Sequence, residues 1–151
     1  MIAIVDYGVG NLFSLRSSLA KLGLEAVVTA DPEVLRKADR LILPGVGAFA
    51  DAMAKLEATG LVPVLQEEAR TKPLLGICLG MQLLFERSYE YGTHAGLGLI
   101  PGEVCPLEPD LTDKSLKVPQ IGWNALHIVR EDPLFRYIQE GEYVYYVHSY
   151  Y

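Results

Sequence analysis

The residue best suited to chemistry in this chain is Cys78, which lies between two glycines in the run Pro73-Leu74-Leu75-Gly76-Ile77-Cys78-Leu79-Gly80-Met81-Gln82-Leu83-Leu84. An apolar, strand-like run ends at the cysteine, and an apolar helical pattern begins directly after it. A sharp turn strains its apex residue, so the neighbours must be small, as Gly76 and Gly80 are. The N–H groups of the following helix would favour the thiolate, which is the attacking form. The pattern predicts a strand–turn–helix with a nucleophilic thiol at its apex, the cysteine form of a nucleophile elbow.

A buried packing role is the alternative for Cys78, because free cysteine is among the most buried residue types. Glycines on both sides and the immediate helical pattern favour the nucleophile. The second cysteine, Cys105, stands beside Pro106 in a strand-like segment and is interpreted as packing. Two cysteines do not form a disulfide framework, so a reducing cytoplasm is the expected location.

The composition is that of a globular protein, since half of the 151 residues are hydrophobic and 21% are charged. The net charge of −6 disfavours a nucleic-acid-binding protein, which needs a basic surface. The apolar stretches are too short to span a bilayer, and the N-terminus lacks the form of a secretion signal. We therefore expect neither a nucleic-acid partner nor a membrane.

Strand-like and helical patterns alternate along the first half of the chain. Strands are predicted at Ile2–Val5, 26–29, 41–43 and before Cys78. Apolar residues at helical spacing lie between them, at Leu12, Leu15, Leu19 and Leu22, at Phe49, Ala52, Met53 and Leu56, and at Val62, Leu65 and Ala69. This alternation predicts an α/β fold with an open, mostly parallel sheet and helices on both faces.

The pattern changes near Gly92, where glycine and proline punctuate a polar stretch. Strand-like pieces follow at 103–107, 126–130 and Tyr143–His148, and we expect them to be antiparallel and to extend one edge of the sheet. No repeat or linker interrupts the chain. Residues 1–151 are therefore interpreted as a single domain.

Three glycine-containing turns follow predicted strands: residues 6–11, residues 44–47 and the turn at Cys78. Ligands of open α/β sheets bind at the carboxyl ends of strands, so these turns should converge in space. Pro44-Gly45-Val46-Gly47 could present bare backbone N–H groups to an oxyanion. A glycine turn by itself would be ordinary loop geometry, but beside a cysteine elbow it indicates an oxyanion site.

These motifs resemble those of the class I, triad-type glutamine amidotransferases, whose nucleophile motif is similar to Gly76-Ile77-Cys78-Leu79-Gly80-Met81-Gln82. Within that class, the closer resemblance is to the glutaminase subunits of imidazole glycerol phosphate synthase. Four further segments carry it: Asp6-Tyr7-Gly8-Val9-Gly10-Asn11-Leu12, Leu43-Pro44-Gly45-Val46-Gly47-Ala48-Phe49, Val118-Pro119-Gln120-Ile121-Gly122-Trp123-Asn124 and Tyr146-Val147-His148-Ser149-Tyr150. The first segment and Gly122-Trp123-Asn124 narrow the resemblance from the class to the subunit.

The resemblance implies a flavodoxin-like fold and hydrolysis of glutamine to glutamate and ammonia through a thioester on Cys78, without a cofactor or a metal. The positions that match the family's oxyanion groups are Val46, Gly47 and Leu79, acting through backbone N–H groups. The positions that match its substrate-binding groups are Gln82, Glu90, Ser149 and Tyr150. Glu90 would meet the α-ammonium group, and the last two would hold the α-carboxylate. From the residues alone, Glu90 is a solvated charge near a helix end.

The implied partner is a (β/α)-barrel cyclase subunit, which uses the ammonia to make imidazole glycerol phosphate and AICAR in histidine biosynthesis. Asn11, Trp123 and Tyr145 match positions at that contact. Trp123 is the only tryptophan and stands in a predicted loop. Exposed aromatic residues often anchor interfaces. A core tryptophan is the alternative, and the residues alone do not separate the two.

The chain departs from the family pattern at two places. Many relatives have histidine and methionine where this chain has Gln120 and Ile121. The family's catalytic base is a histidine in a later His-Pro-Glu motif, which these 151 residues do not contain. The histidines present are His94 in a glycine-rich loop, His127 in a structural position and His148 at a family position that is not the base. We therefore expect an N-terminal portion of the enzyme, with almost no glutaminase turnover of its own.

Three other functions stay open at this point. The first is the glutaminase of another class I amidotransferase with a different acceptor. The second is a non-catalytic module that binds a partner. The third is another cysteine-elbow protein, such as a peptidase or a chaperone-like relative, although that function would want a histidine where Leu79 stands.

Overall fold

A computed structural model describes residues 1–151, which form two compact units, Met1–Cys105 and Pro106–Tyr151. None of the helices combines the length and hydropathy that a membrane-spanning segment requires.

A four-stranded parallel sheet forms the centre of the first unit. Its strands are β1 (Ile2–Val5), β2 (Ala26–Thr29), β3 (Arg40–Leu43) and β4 (Leu74–Gly76), in the order β2-β1-β3-β4. β1 pairs with both β2 and β3, and Ile4 lies between Val28 and Ile42. β4 continues the sheet beside β3, which places the end of β4 next to the end of β3.

Five helices connect or follow these strands: α1 (Leu12–Lys21), α2 (Pro32–Lys37), α3 (Phe49–Ala58), α4 (Val62–Glu68) and α5 (Leu79–Gln82). Side-chain caps fix the starts of the first two. The Asn11 side chain accepts a hydrogen bond from the Ser14 N–H, and the Asp31 side chain accepts one from the Glu33 N–H. The residue before α3, Ala48, occupies the N-cap position but has no side chain that can cap the helix.

The two faces of the sheet bury different sets of residues, because side chains alternate along each strand. On one face, Ala3, Val5, Leu41 and Leu43 pack with residues of α2, α3 and α4, including Leu35, Leu56 and Leu65. On the other face, Ile2, Ile4 and Ile42 pack with Leu19 of α1. The predicted parallel sheet with helices on both faces is therefore confirmed.

A second sheet of three short strands completes the first unit: β5 (Phe85–Ser88), β6 (His94–Ala95) and β7 (Ile100–Val104). β5 pairs antiparallel with β6 and parallel with β7. The expected antiparallel strand at 103–107 is thus wrong in its bounds and its direction. This sheet is also separate from the four-stranded one and does not extend its edge.

The second unit is built on an antiparallel pair, β8 (Gln120–Ala125) and β9 (Tyr143–His148). Two short 3-10 helices, Glu108–Asp110 and Pro133–Phe135, lie before β8 and between the two strands. The strand predicted at 126–130 is wrong, since pairing ends at Ala125. Beyond that point the Glu140 carboxylate accepts the Ile128 N–H at 2.7 Å, and such a side-chain bond replaces a ladder bond.

Candidate active site

The turn at Cys78 has the geometry of a strained elbow, here defined as Ile77–Gly80. The Gly80 N–H donates to the Ile77 carbonyl at 3.0 Å, which closes a four-residue turn. Cys78 has φ 54° and ψ −119°, values of the first central position of a type II′ turn, which normally belongs to glycine. A non-glycine residue there costs about 1–3 kcal/mol and persists only where its surroundings enforce it. The predicted strand–turn–helix with cysteine at the apex is confirmed, and the Cys78 side chain is exposed.

The glycines beside Cys78 are required by close backbone contacts. A Cβ atom on Gly76 would stand 2.4 Å from the Met81 Cα, and one on Gly80 would stand 2.0 Å from the Leu43 carbonyl oxygen. The Ile77 N–H also donates to that Leu43 oxygen at 3.0 Å. The elbow is therefore pressed against the end of β3, backbone against backbone.

The helix after the elbow is shorter than the apolar pattern predicts. α5 is a single turn, in which the Met81 and Gln82 N–H groups donate to the Cys78 carbonyl. A macrodipole grows with the number of aligned peptides, so one turn supplies little of it. The electrostatic stabilisation of a Cys78 thiolate therefore comes mainly from one neighbouring group, the Leu79 N–H, which donates no hydrogen bond within the protein.

The loop after β3, here called the oxyanion loop (residues 44–48), lies against the elbow. A Cβ atom on Gly45 would stand only 2.4 Å from the Gly80 nitrogen. Gly47 has φ +94°, a conformation that side chains rarely adopt. Val46 and Gly47 are exposed, and their N–H groups, like that of Leu79, make no hydrogen bond within the protein. The structure thus brings the predicted oxyanion groups to neighbouring stretches of backbone.

The turn after β1 supports the oxyanion loop from the other side. The Tyr7 hydroxyl donates to the Pro44 carbonyl at 2.6 Å in a buried contact. Burial raises the pKa of Tyr7 to about 12, so the hydroxyl stays protonated and keeps donating. The expected convergence of the three turns is confirmed, although sequence reasoning did not single out Tyr7.

Glu90 is bound to the start of α3. Its Oε2 accepts the Phe49 N–H at 2.5 Å, and the carboxylate thereby caps a helix that lacks a cap of its own. The side chain is half-buried, and Oε1 accepts no hydrogen bond within the protein. Glu90 is therefore a held carboxylate with one oxygen available, not a freely solvated charge. The capless helix start at Ala48 was the available signal for such a partner.

Gln82 is the last residue of α5 and lies four residues after Cys78. Its side chain is half-buried, at the end of the single turn that follows the elbow.

The other predicted substrate residues, Ser149 and Tyr150, belong to the second unit and directly follow β9. The Ser149 carbonyl accepts the Leu107 N–H at 2.9 Å, and Tyr150 forms an antiparallel bridge with Pro106. Their backbone is thus held in an extended form beside the segment that starts this unit.

Each histidine is engaged locally. His94 lies in β6 opposite Ser88. His127 contacts Glu140 at 2.6 Å on the surface, and the Ile128 N–H and His127 together lower the pKa of Glu140. His148 Nδ1 contacts the Tyr150 carbonyl at 2.8 Å.

The residues predicted for the partner contact are all exposed. Asn11 caps α1. Trp123 is 67% exposed in β8, so neither the predicted loop nor the core alternative describes it. Tyr145 lies opposite Trp123 in β9, and their ring centroids are 5.5 Å apart. Ile121 and Val147 are exposed on the same side of the strand pair, which gives it an apolar face.

Comparisons with known proteins identify the family of the chain. A family model described as "Glutamine amidotransferase class-I" matches residues 3–151. "Imidazole glycerol phosphate synthase subunit HisH" of Wolinella succinogenes is 50% identical over 151 residues, which are 99% of this chain and 74% of that protein. The subunit of the same name from Lactiplantibacillus plantarum is 55% identical and covers 100% of this chain and 71% of its own length.

Two solved structures share the fold at low sequence identity. A structure described as "Crystal structure of glutamine amidotransferase" aligns with a TM-score of 0.60 and 22% identity over 70% of this chain, which spans 57% of that chain. A putative peptidase E protein from Listeria monocytogenes aligns with a TM-score of 0.54 and 17% identity over 66% of this chain and 62% of its own. The family model and the two subunits, in contrast, align over nearly the whole length of this chain. The chain therefore belongs to the class-I glutamine amidotransferase family and, within it, to the HisH subunits of imidazole glycerol phosphate synthase.

Proposed function

We propose that this protein hydrolyses glutamine to glutamate and ammonia at Cys78, and that it is the subunit that supplies the ammonia to a cyclase. The observation that carries this proposal is the strained Cys78, exposed at the apex of a turn whose neighbouring backbone N–H groups are unoccupied. Such strain persists at sites where it serves the reaction.

In the proposed reaction, the Cys78 thiolate attacks the side-chain amide carbon of glutamine. The carbonyl oxygen becomes an oxyanion, and N–H groups of Leu79 and of Val46 or Gly47 stabilise it. The C–N bond then breaks, and ammonia leaves with a proton. Water hydrolyses the glutamyl thioester, which releases glutamate and restores the thiol. The thiol proton must pass through a general base, and residues 1–151 contain no His-Pro-Glu motif to supply it.

Four residues are proposed to hold the substrate. The Oε1 oxygen of Glu90, which accepts no hydrogen bond in the protein, is suited to the α-ammonium group. Gln82 is proposed for the amide end because it lies in the single turn that directly follows Cys78. Ser149 and Tyr150 are proposed to hold the α-carboxylate, largely through their backbone.

The proposed partner is a (β/α)-barrel cyclase, with which the protein would form a heterodimer. Relatives at 50–55% identity are named as subunits of imidazole glycerol phosphate synthase, which supports this partner. Asn11, Trp123 and Tyr145 are proposed contact residues. The exposed aromatic pair of Trp123 and Tyr145 has the character of an interface anchor. Both cysteines are free thiols, which supports a cytoplasmic location.

Covalent capture tests the proposal directly, because it needs the nucleophile and the oxyanion groups but no complete turnover. The protein is incubated with 6-diazo-5-oxo-norleucine, a glutamine analogue whose diazo carbon alkylates a thiol sulfur with loss of nitrogen gas. Mass spectrometry should find one adduct, on Cys78. The adduct should disappear in Cys78→Ser and persist in the matched control Cys105→Ser, and excess glutamine should slow its formation. Labelling on Cys105, or labelling that glutamine does not slow, would overturn the proposal.

A further inference from the structure

The start of α3 is held by contacts that the reaction described above does not use. The Phe49 N–H is the first N–H of α3, so no carbonyl within the helix accepts it, and Ala48 offers it no side-chain cap. The Glu90 carboxylate takes that role from a segment 41 residues away in the chain. A charged acceptor makes this hydrogen bond stronger than one between neutral groups.

The ring of Phe49 is fixed by the same segment that carries Glu90. Phe49 is fully buried. A Cβ atom on Gly96 would stand 3.2 Å from the Phe49 Cζ, so the ring lies directly over the backbone at Gly96. Residues 90–96 therefore hold Phe49 at both its backbone nitrogen and its ring.

Phe49 in turn is the anchor of the oxyanion loop. Only Ala48 separates it from Gly47, whose φ of +94° sets the direction of the exposed N–H groups. At the other end of the loop, Tyr7 holds the Pro44 carbonyl and Gly45 lies against Gly80. The loop is thus fixed at both ends, and Glu90 provides the polar contact at the α3 end.

We propose that Glu90 is a positioning residue for the oxyanion loop: its Oε2 fixes the Phe49 N–H and thereby the Gly47–Ala48 backbone. Under the proposed function, on which this inference rests, one carboxylate has two duties. Oε1 binds the substrate's ammonium group, and Oε2 keeps the oxyanion donors in place. Binding of the correct substrate and readiness of the oxyanion site are then linked through one side chain.

The two duties separate when the ammonium group is removed from the ligand. We compare 6-diazo-5-oxo-norleucine with its deamino analogue, 6-diazo-5-oxohexanoate, and measure the apparent binding constant and the maximal rate of Cys78 alkylation for each. Iodoacetamide, whose reaction needs no oxyanion site, reports the intrinsic reactivity of the thiol. Amide hydrogen exchange at Phe49 reports the hydrogen bond itself.

Three variants of Glu90 distinguish charge from hydrogen-bond acceptance. Glu90→Gln keeps an acceptor for Phe49, so it should weaken binding of the amino compound while the maximal rate with the deamino compound stays within about threefold of wild type. Glu90→Ala should lower that maximal rate about tenfold or more, because losing one oxyanion donor entirely costs about 100-fold to 1,000-fold. It should also speed exchange of the Phe49 amide and leave the iodoacetamide rate unchanged. Glu90→Asp keeps the charge but is one methylene too short, so it should resemble Glu90→Ala and serves if the alanine variant does not fold.

The matched control is Glu86→Ala. Glu86 in β5 accepts the Gly102 N–H at 3.0 Å, so this change removes a carboxylate–backbone bond of the same kind four residues before Glu90, at a residue that does not contact the oxyanion loop. It should leave all alkylation rates as in wild type. If Glu90→Ala and Glu90→Asp alkylate with the deamino compound at the wild-type maximal rate, Glu90 does not position the loop and the inference is wrong. If wild type itself is not labelled at Cys78, the proposed function fails instead.

Discussion

The sharpest prediction concerns Gly80→Ala, because helix propensity and packing predict opposite changes in the stability of the protein. Gly80 lies within α5, where replacing glycine by alanine normally stabilises a helix by about 1 kcal/mol. The structure predicts the reverse. The new Cβ would stand 2.0 Å from the Leu43 carbonyl oxygen, 2.8 Å from the Leu43 carbonyl carbon and 2.9 Å from the Pro44 carbonyl carbon. All three atoms are backbone, so no side chain can rotate away.

The size of the loss follows from the movement needed. Ordinary contact begins at 3.4 Å, so the elbow and the end of β3 must separate by about 1.4 Å. Overpacking of this kind costs about 1–3 kcal/mol, and a lost Ile77 N–H bond to the Leu43 oxygen adds about 1 kcal/mol. After the helix-propensity gain, the free energy of unfolding should fall by about 2 kcal/mol. For a chain of this length, that corresponds to a Tm lower by about 4–8 °C.

Urea and thermal unfolding measure the stability, and capture of 6-diazo-5-oxo-norleucine measures the site. A displacement of about 1 Å at a reacting group can cost about 100-fold in rate, so capture should slow more than iodoacetamide labelling does. Gly60→Ala is the control, because Gly60 has φ +71° with nothing within 4 Å of its added Cβ. It should lose about 1 kcal/mol from backbone strain alone and keep the wild-type capture rate. A Gly80→Ala protein as stable as wild type would refute the packing argument.

Three further predictions follow from individual side chains. Limiting iodoacetamide should label exposed Cys78 before half-buried Cys105, and preferential labelling of Cys105 in a peptide map would contradict the elbow assignment. The folded pKa of Tyr7, about 12, lies above its ordinary value of 10.0, so its stabilising contribution is present below pH 10 and is lost as the pH rises to 12. In urea titrations, Tyr7→Phe should therefore lose less stability than wild type between pH 10 and pH 12. Equal losses in the two proteins would refute a buried, protonated Tyr7. Trp123→Ala should weaken binding to the cyclase and leave the circular dichroism spectrum unchanged. Tyr137→Ala, which removes an aromatic ring that is 86% exposed, should not weaken that binding. If the Trp123 variant binds with unchanged affinity or unfolds, Trp123 is not an interface anchor.

The parallel sheet could be predicted because its signals are local. β1, β2 and β3 are short apolar runs, each followed by a turn residue or a cap, and α3 has its apolar residues at helical spacing. The elbow was predictable for the same reason, since Gly76 and Gly80 flank the cysteine directly. In each case the residues that decide the structure stand next to one another in the chain.

The small sheet could not be predicted, because its cause is tertiary. The apolar residues after Cys78 continue a helical pattern through Leu84, yet α5 ends at Gln82. The Leu83 carbonyl accepts the Leu97 N–H at 2.8 Å, and the Leu84 carbonyl accepts N–H groups of Leu99 and Ile100. These carbonyls would be needed to continue the helix. A segment more than a dozen residues later occupies them, so β5 begins instead.

The contacts that form the site are mostly between backbone atoms, and this explains both how the strained turn is held and why the margin of free energy that holds it is small. Cys78 costs about 1–3 kcal/mol in its turn conformation, and each backbone hydrogen bond that holds the elbow contributes about 1 kcal/mol. Only a few such bonds are present, chiefly those of Ile77 to Leu43 and of Gly80 to Ile77. The strained form is therefore held with a small margin, and close packing against Gly45 is needed to complete it. A sequence shows that glycines are available for such packing, but it does not show which backbone segments they allow to approach each other. Gly45 and Gly80 are in contact only because β3 and β4 are neighbours in the sheet.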